Sequence, residues 1–123
     1  MQVIHGKVVH GKALGRTVGM PTANIAADEK ELPASGVYAT KLIYDGKKLD
    51  SVTNIGRRPS VDEEKHITVE TYIFDFAREI YDVEVALEIH KFIRPVMKFE
   101  NLAEVQEQVQ KDMIEVKKYF AQM

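Results

Sequence analysis

Three groups of residues in this chain have types and spacings that could do chemistry. The first is the stretch from Gly6 to Asn24, with glycines at 6, 11, 15 and 19 and the cations Lys12 and Arg16 between them. Glycine permits positive φ and close approach of backbone to a ligand. Gly-rich turns can therefore aim several N–H groups at phosphate oxygens, with Lys12 and Arg16 as charge partners. Tight turns with no ligand would use the same glycines. A Walker A loop is excluded, because Gly11-Lys12 is followed by Ala13 and no helical pattern comes next. The second group is Pro21-Thr22-Ala23-Asn24. Pro21 biases Met20 towards extended backbone. In an extended chain Thr22 and Asn24 point to one side. Their hydroxyl and amide oxygens are hard donors that suit Mg²⁺, which takes few protein ligands and fills its shell with water and substrate phosphates. Both side chains could equally hydrogen-bond a turn.

The third group centres on Glu70. On a strand over 67–76 it shares a face with Tyr72, Phe74 and Phe76. A carboxylate on an aromatic face is costly to bury unless paired or protonated. Burial would raise its pKa towards the range of a useful general base. An exposed edge position or a salt bridge would serve as well. The cations of Asn54-Ile55-Gly56-Arg57-Arg58-Pro59-Ser60 could bind phosphate, or belong to a solvated loop that runs on through Asp62 to Lys65. His5, His10, His66 and His90 show no metal-ligand spacing. No Gly-x-Ser-x-Gly elbow is present.

These groups need elements to position them. Leu102, Val105, Val109, Met113, Val116 and Phe120 recur at helical period, with Asn101 as N-cap and Glu104 as its capping-box partner. Glu107, Gln108, Lys111, Asp112, Glu115 and Lys118 are assigned to the other sides. Val83 to His90 alternates apolar and polar residues at period two. The segment 37–44 is rich in β-formers and runs into Asp45-Gly46, a type I′ hairpin signal, before a second strand through Leu49 and Val52 towards Ile55. Val3 to Val9 is a further strand. Short strands joined by turns and followed by one helix predict a mainly β fold: a small antiparallel barrel with the helix packed on its side. The strands and turns fill about residues 1–99 and the helix about 101–121, one domain over 1–123.

Composition narrows the function classes. The chain has 123 residues, 45% hydrophobic and 29% charged, with 17 Lys and Arg against 19 Asp and Glu for a net charge of −2. That length holds one core. A general nucleic-acid binder would carry a basic excess. Zero cysteines exclude a disulfide scaffold, a thiolate metal site and a Cys nucleophile. No apolar run approaches the roughly 20 residues of a membrane span. The start carries no basic n-region or long apolar stretch, so a cytoplasmic domain without membrane or nucleic-acid partners is expected.

Taken together the segments resemble the riboflavin kinase family, the module that also forms the C-terminal half of bacterial bifunctional FAD synthetases. The resemblance rests on Gly11…Gly15-Arg16-Thr17-Val18-Gly19-Met20-Pro21-Thr22-Ala23-Asn24-Ile25, then Gly36-Val37-Tyr38-Ala39, Asn54 to Ser60, Val69-Glu70-Thr71-Tyr72 to Phe76, Ile80-Tyr81, and Phe92-Ile93-Arg94-Pro95…Lys98-Phe99. It implies a six-stranded Greek-key barrel with a C-terminal helix. It implies transfer of the γ-phosphate of ATP to the 5′-hydroxyl of riboflavin, giving FMN and ADP with Mg²⁺. Nucleotide contacts are implied at Gly11, Gly15, Arg16, Gly19, Pro21, Thr22 and Asn24. Metal ligation is implied at Thr22 and Asn24, the base at Glu70, and flavin contacts at Arg94 and Tyr81. An adenylyltransferase domain before Met1 would make the chain half of a bifunctional enzyme. Tyr72, Asp82, Ser60 and Val96 depart from the residues common at those places. Asp82 and Val96 alter the flavin side, which leaves a flavin-binding or regulatory module without kinase activity as the alternative.

Overall fold

The structure is a computed structural model that describes residues 2–9, 22–59, 65–74 and 80–123. Among these, six strands form: β1 (Gln2–Val9), β2 (Thr22–Ala27), β3 (Gly36–Tyr44), β4 (Lys47–Pro59), β5 (Lys65–Ile73) and β6 (Glu84–Arg94). A 20-residue helix, α1 (Leu102–Ala121), follows. All pairings are antiparallel, and the strands close into a barrel in the order β1-β2-β5-β4-β3-β6. β3, β4 and β5 are successive neighbours, and the earlier β2 lies beside β5, which is a Greek key. The mainly β barrel expected from the sequence is the fold found.

Alternation drives the closure. Ile4 and Val8 on β1, Ala23 and Ile25 on β2, Tyr38 and Leu42 on β3, Ile55 on β4, Val69 and Ile73 on β5, and Val85 and Leu87 on β6 join one buried interior cluster. Asp45 (φ 51°) and Gly46 (φ 73°) both take positive φ, as a type I′ turn requires, and join β3 to β4 as expected. The interior also holds a chain of hydroxyls. Ser51 meets Thr40 at 2.7 Å, Thr40 meets Thr53 at 2.9 Å and Thr53 meets Thr71 at 2.8 Å. Each buried hydroxyl thereby has a partner across neighbouring strands.

A second buried cluster lies on the outer face, where Val37, Ala39, Val52, Tyr72 and Phe74 pack against Val109 and Val116 of α1. Val69 and Ile73 of β5 thus face the interior, while Tyr72 and the following Phe74 pack towards the helix.

Four local expectations are corrected. Asp112, assigned to the solvent side, is 4% exposed and sits on the packed face between Val109 and Val116. Leu102, assigned to the apolar stripe, is 45% exposed at the helix start. Asn101 does cap α1, accepting the Glu104 N–H at 2.9 Å, but the Glu104 carboxylate reaches the Glu100 N–H rather than that of Asn101. Finally, Arg57, Arg58 and Pro59 continue β4, pairing with Ile67, His66 and Lys65 of β5, where a loop was expected.

Candidate active site

Register on the outer face assembles the site. Asn24 pairs with Glu70, Glu70 with Asn54, Asn54 with Val37, and Val37 with Arg94. One row therefore crosses five strands in the order β2, β5, β4, β3, β6. The adjoining row runs Thr22, Tyr72, Val52, Ala39. Neighbouring strands lie ~4.8 Å apart, so Thr22, Asn24 and Glu70 occupy adjacent positions on one surface. The sequence pattern could place Thr22 with Asn24 on one side of a strand. Only the β2–β5 register puts them beside Glu70.

Glu70 is half-buried. Burial raises its pKa above the ordinary carboxylate value, and a hydrogen bond from the Tyr72 hydroxyl works against that rise. Burial first, then the Glu70 carboxylate, push the Tyr72 phenol well above its usual range. Tyr72 thus stays protonated and donates, while burial increases the proton affinity of Glu70.

Two side-chain oxygens on this face, Thr22 Oγ1 and Asn54 Oδ1, are buried without a hydrogen-bond partner among the described residues. Orphan buried acceptors cost free energy unless a ligand or ion completes them. Among the described residues no cluster of His, Asp or Glu is arranged to hold a metal ion by itself. The neutral donors Thr22 and Asn24 fit instead an ion that arrives already bound to phosphates.

Over the Asn54–Arg94 part of the row, a cleft lies between the barrel and α1. Val37, Val52, Phe99, Val105 and Val109 form its apolar walls, and Asn54, Tyr72, Arg94 and Asp112 supply its polar groups. Arg94 is held in place: Nε donates to Asp112 Oδ1 at 2.9 Å, Nη2 to Oδ2 at 2.8 Å and Nη1 to the Pro95 carbonyl at 3.0 Å. Gln108 adds a donor to Asp112 at 3.1 Å.

The sequence-derived candidates divide three ways. Thr22, Asn24 and Glu70 come together, and Arg94 lines the cleft at the far end of the same row. Tyr81 packs against the interior cluster and is not among the described residues that line the cleft. Gly11, Gly15, Arg16, Gly19 and Pro21 lie outside the described residues, as do Ser60 and Phe76. The sequence reading missed Asn54, Asp112 and the role of Tyr72. Asp112 carried a usable signal, since it is three residues after Val109 and four before Val116. Asn54 stood only as the first residue of the motif that runs to Ser60, because its place beside Glu70 depends on register.

A closed Greek-key barrel with a polar row running under a C-terminal helix defines the class of module. A family model described as flavokinase, riboflavin kinase, matches residues 2–120, and the chain belongs to that family. It is 37% identical to a bifunctional riboflavin kinase/FMN adenylyltransferase of Bacillus subtilis, over 98% of this chain and 39% of the relative. The chain thus spans about two fifths of the length of that curated relative. Among solved structures, one from Streptococcus pneumoniae described as a macrolide-efflux protein matches with a TM-score of 0.86 and 31% identity, over 94% of this chain and 38% of that one. A riboflavin kinase from Trypanosoma brucei shares the fold with a TM-score of 0.66 at 21% identity, over 97% of this chain and 79% of that one. No helix among the described residues is long and apolar enough to cross a membrane.

Proposed function

We propose that this chain transfers the γ-phosphate of ATP to the 5′-hydroxyl of riboflavin, giving FMN and ADP. The observation that carries the reading is the in-register placement of Thr22 and Asn24 beside Glu70, at one end of a row whose other end enters an apolar cleft. Phosphoryl transfer needs positioning and charge neutralisation more than covalent catalysis. The flavin ring takes the cleft beside Val37, Val52 and Val109, and its polyol chain runs along the row to Glu70. Glu70 accepts a hydrogen bond from the 5′-hydroxyl. It takes that proton as the hydroxyl oxygen bonds to the γ-phosphorus and the bond to the ADP oxygen breaks. Thr22 and Asn24 hold Mg²⁺, which supplies charge neutralisation on the phosphates. Gly11, Gly15, Arg16, Gly19 and Pro21 are assigned to the nucleotide, Arg94 and Tyr81 to the flavin side.

The domain is read as 1–123 and its compartment as the cytoplasm. The adenylyltransferase activity named for the Bacillus subtilis relative is assigned to the length which that relative has beyond the matched part. The polar row favours phosphoryl transfer over the drug export named for the pneumococcal structure.

Purified protein with riboflavin and Mg·ATP is expected to form FMN, separated by chromatography. Glu70→Gln should lose ~10²–10⁴-fold in turnover while still binding both substrates. Flavin binding without FMN formation by the wild type would make the chain a binding module. Near-normal turnover of the Gln variant would remove Glu70 as base.

A further inference from the structure

Asn54 is the residue of the row for which the phosphotransfer reading has no use. Its Oδ1 is buried, has no partner among the described residues, and belongs to a side chain that lines the cleft. It stands on β4, in register with Glu70 on one side and Val37 on the other. A buried carbonyl oxygen left without a donor is unfavourable, and the apolar walls around it offer none. A ligand hydroxyl in this position would complete it.

We propose that Asn54 is a specificity-determining residue whose side-chain carbonyl accepts a hydrogen bond from an internal hydroxyl of the polyol chain. The inference rests on the riboflavin kinase reading. Glu70 meets the terminal hydroxyl, and Asn54 is one strand step away, ~4.8 Å. With C–C bonds near 1.5 Å, that step reaches a hydroxyl roughly two or three carbons in from the end. The 3′- and 2′-hydroxyls are therefore the candidates, and the 5′ end stays with Glu70. Rejection of chains lacking that hydroxyl follows physically, because such a ligand leaves Oδ1 buried and unpaired.

The test compares riboflavin with its 3′-deoxy and 2′-deoxy analogues, by flavin fluorescence titration and by FMN-forming kinetics. The proteins are the wild type, Asn54→Ala and Asn54→Leu. For the wild type, one analogue should bind about ten- to a hundred-fold more weakly than riboflavin. Both Asn54 variants should lose a similar factor for riboflavin, bind riboflavin and that analogue equally, and keep the wild-type KM for ATP. A purely structural role would weaken both flavins alike and preserve their ratio. An unchanged ratio, unchanged riboflavin affinity, or a change confined to the KM for ATP overturns the proposal. If neither variant folds, the wild type decides alone, and equal binding of riboflavin and both analogues overturns it. Failure of the wild type to phosphorylate or bind riboflavin is a separate result: it removes the kinase reading, and this inference with it.

Discussion

Replacing Asp112 by Ala tests how far the cleft depends on one ion pair. Arg94 and Asp112 join β6 to α1 through two parallel hydrogen bonds of 2.9 and 2.8 Å. Their side chains are only 16% and 5% exposed. Removing Asp112 leaves the guanidinium mostly buried with one remaining acceptor among the described residues, the Pro95 carbonyl. Breaking a buried pair by deleting one partner costs about 3–5 kcal/mol, and the partial exposure of Arg94 argues for the lower figure. A loss of about 3 kcal/mol lowers Tm by roughly 10–15 °C in a domain of this length. The variant should still fold, since domains of this size hold about 5–15 kcal/mol in reserve. Circular dichroism at the helix band during thermal unfolding measures the shift. The double variant Arg94→Met/Asp112→Leu removes both charges and should recover most of the loss. In turnover assays Asp112→Ala should raise the KM for the flavin more than that for ATP, because Asp112 lines the cleft and Thr22 and Asn24 do not touch it. A Tm change equivalent to less than about 1 kcal/mol, or a double variant no more stable than the single one, would refute the reasoning.

Tyr72→Phe removes a donor that stabilises ionised Glu70. The Glu70 pKa, already raised by burial, should rise further, so the acid limb of the kcat–pH profile moves to higher pH while the KM for ATP stays constant. An unmoved limb contradicts the assignment. Thr22→Ala should raise the Mg²⁺ concentration needed for half-maximal turnover, measured by metal titration at saturating riboflavin; unchanged metal dependence removes Thr22 from the ion. Thr53→Val deletes the middle of the interior hydroxyl chain and takes from Thr71 its 2.8 Å partner. It should cost about 1–3 kcal/mol in urea unfolding, more than Thr71→Val, which leaves Thr53 bonded to Thr40.

Local periodicity carried most of the fold. The Asp45-Gly46 turn, the alternation through Val83–His90 and the stripe from Val105 to Phe120 each specify an element without knowledge of its neighbours. Two misreadings arose where polarity overrode period. Asp112 is charged and was placed in solvent, yet its spacing from Val109 and Val116 puts it on the packed face, where Arg94 neutralises it. Arg57 and Arg58 look like loop charges, yet β5 supplies strand partners out to Pro59. The candidate site was legible in its parts: Thr22 with Asn24 by alternation, and Glu70 by its aromatic face. What joins them is register among strands far apart in sequence, which no local pattern encodes.

That register also explains how the barrel can be both a rigid scaffold and a binding surface. In a closed barrel this small, inward side chains fill the interior. Here Ile4, Leu42, Ile55, Ile73 and Leu87 do so, and the polar residues among them satisfy one another. Ligand chemistry is therefore displaced to the outside, where a helix must provide the second wall. Burial of the polar row raises the proton affinity of Glu70 and leaves the oxygens of Thr22 and Asn54 without partners among the described residues. Each of these is a loss for the empty fold and a gain once a proton, a phosphate-bound ion or a hydroxyl arrives. Glu70→Gln should accordingly raise stability at neutral pH. A carboxyl whose folded pKa lies above its unfolded value loses stability as pH rises through that range, and the amide does not ionise. A Gln variant that melts below the wild type at pH 7 and above it in acid would reverse the sign, and would show that the ionised Glu70 stabilises the fold.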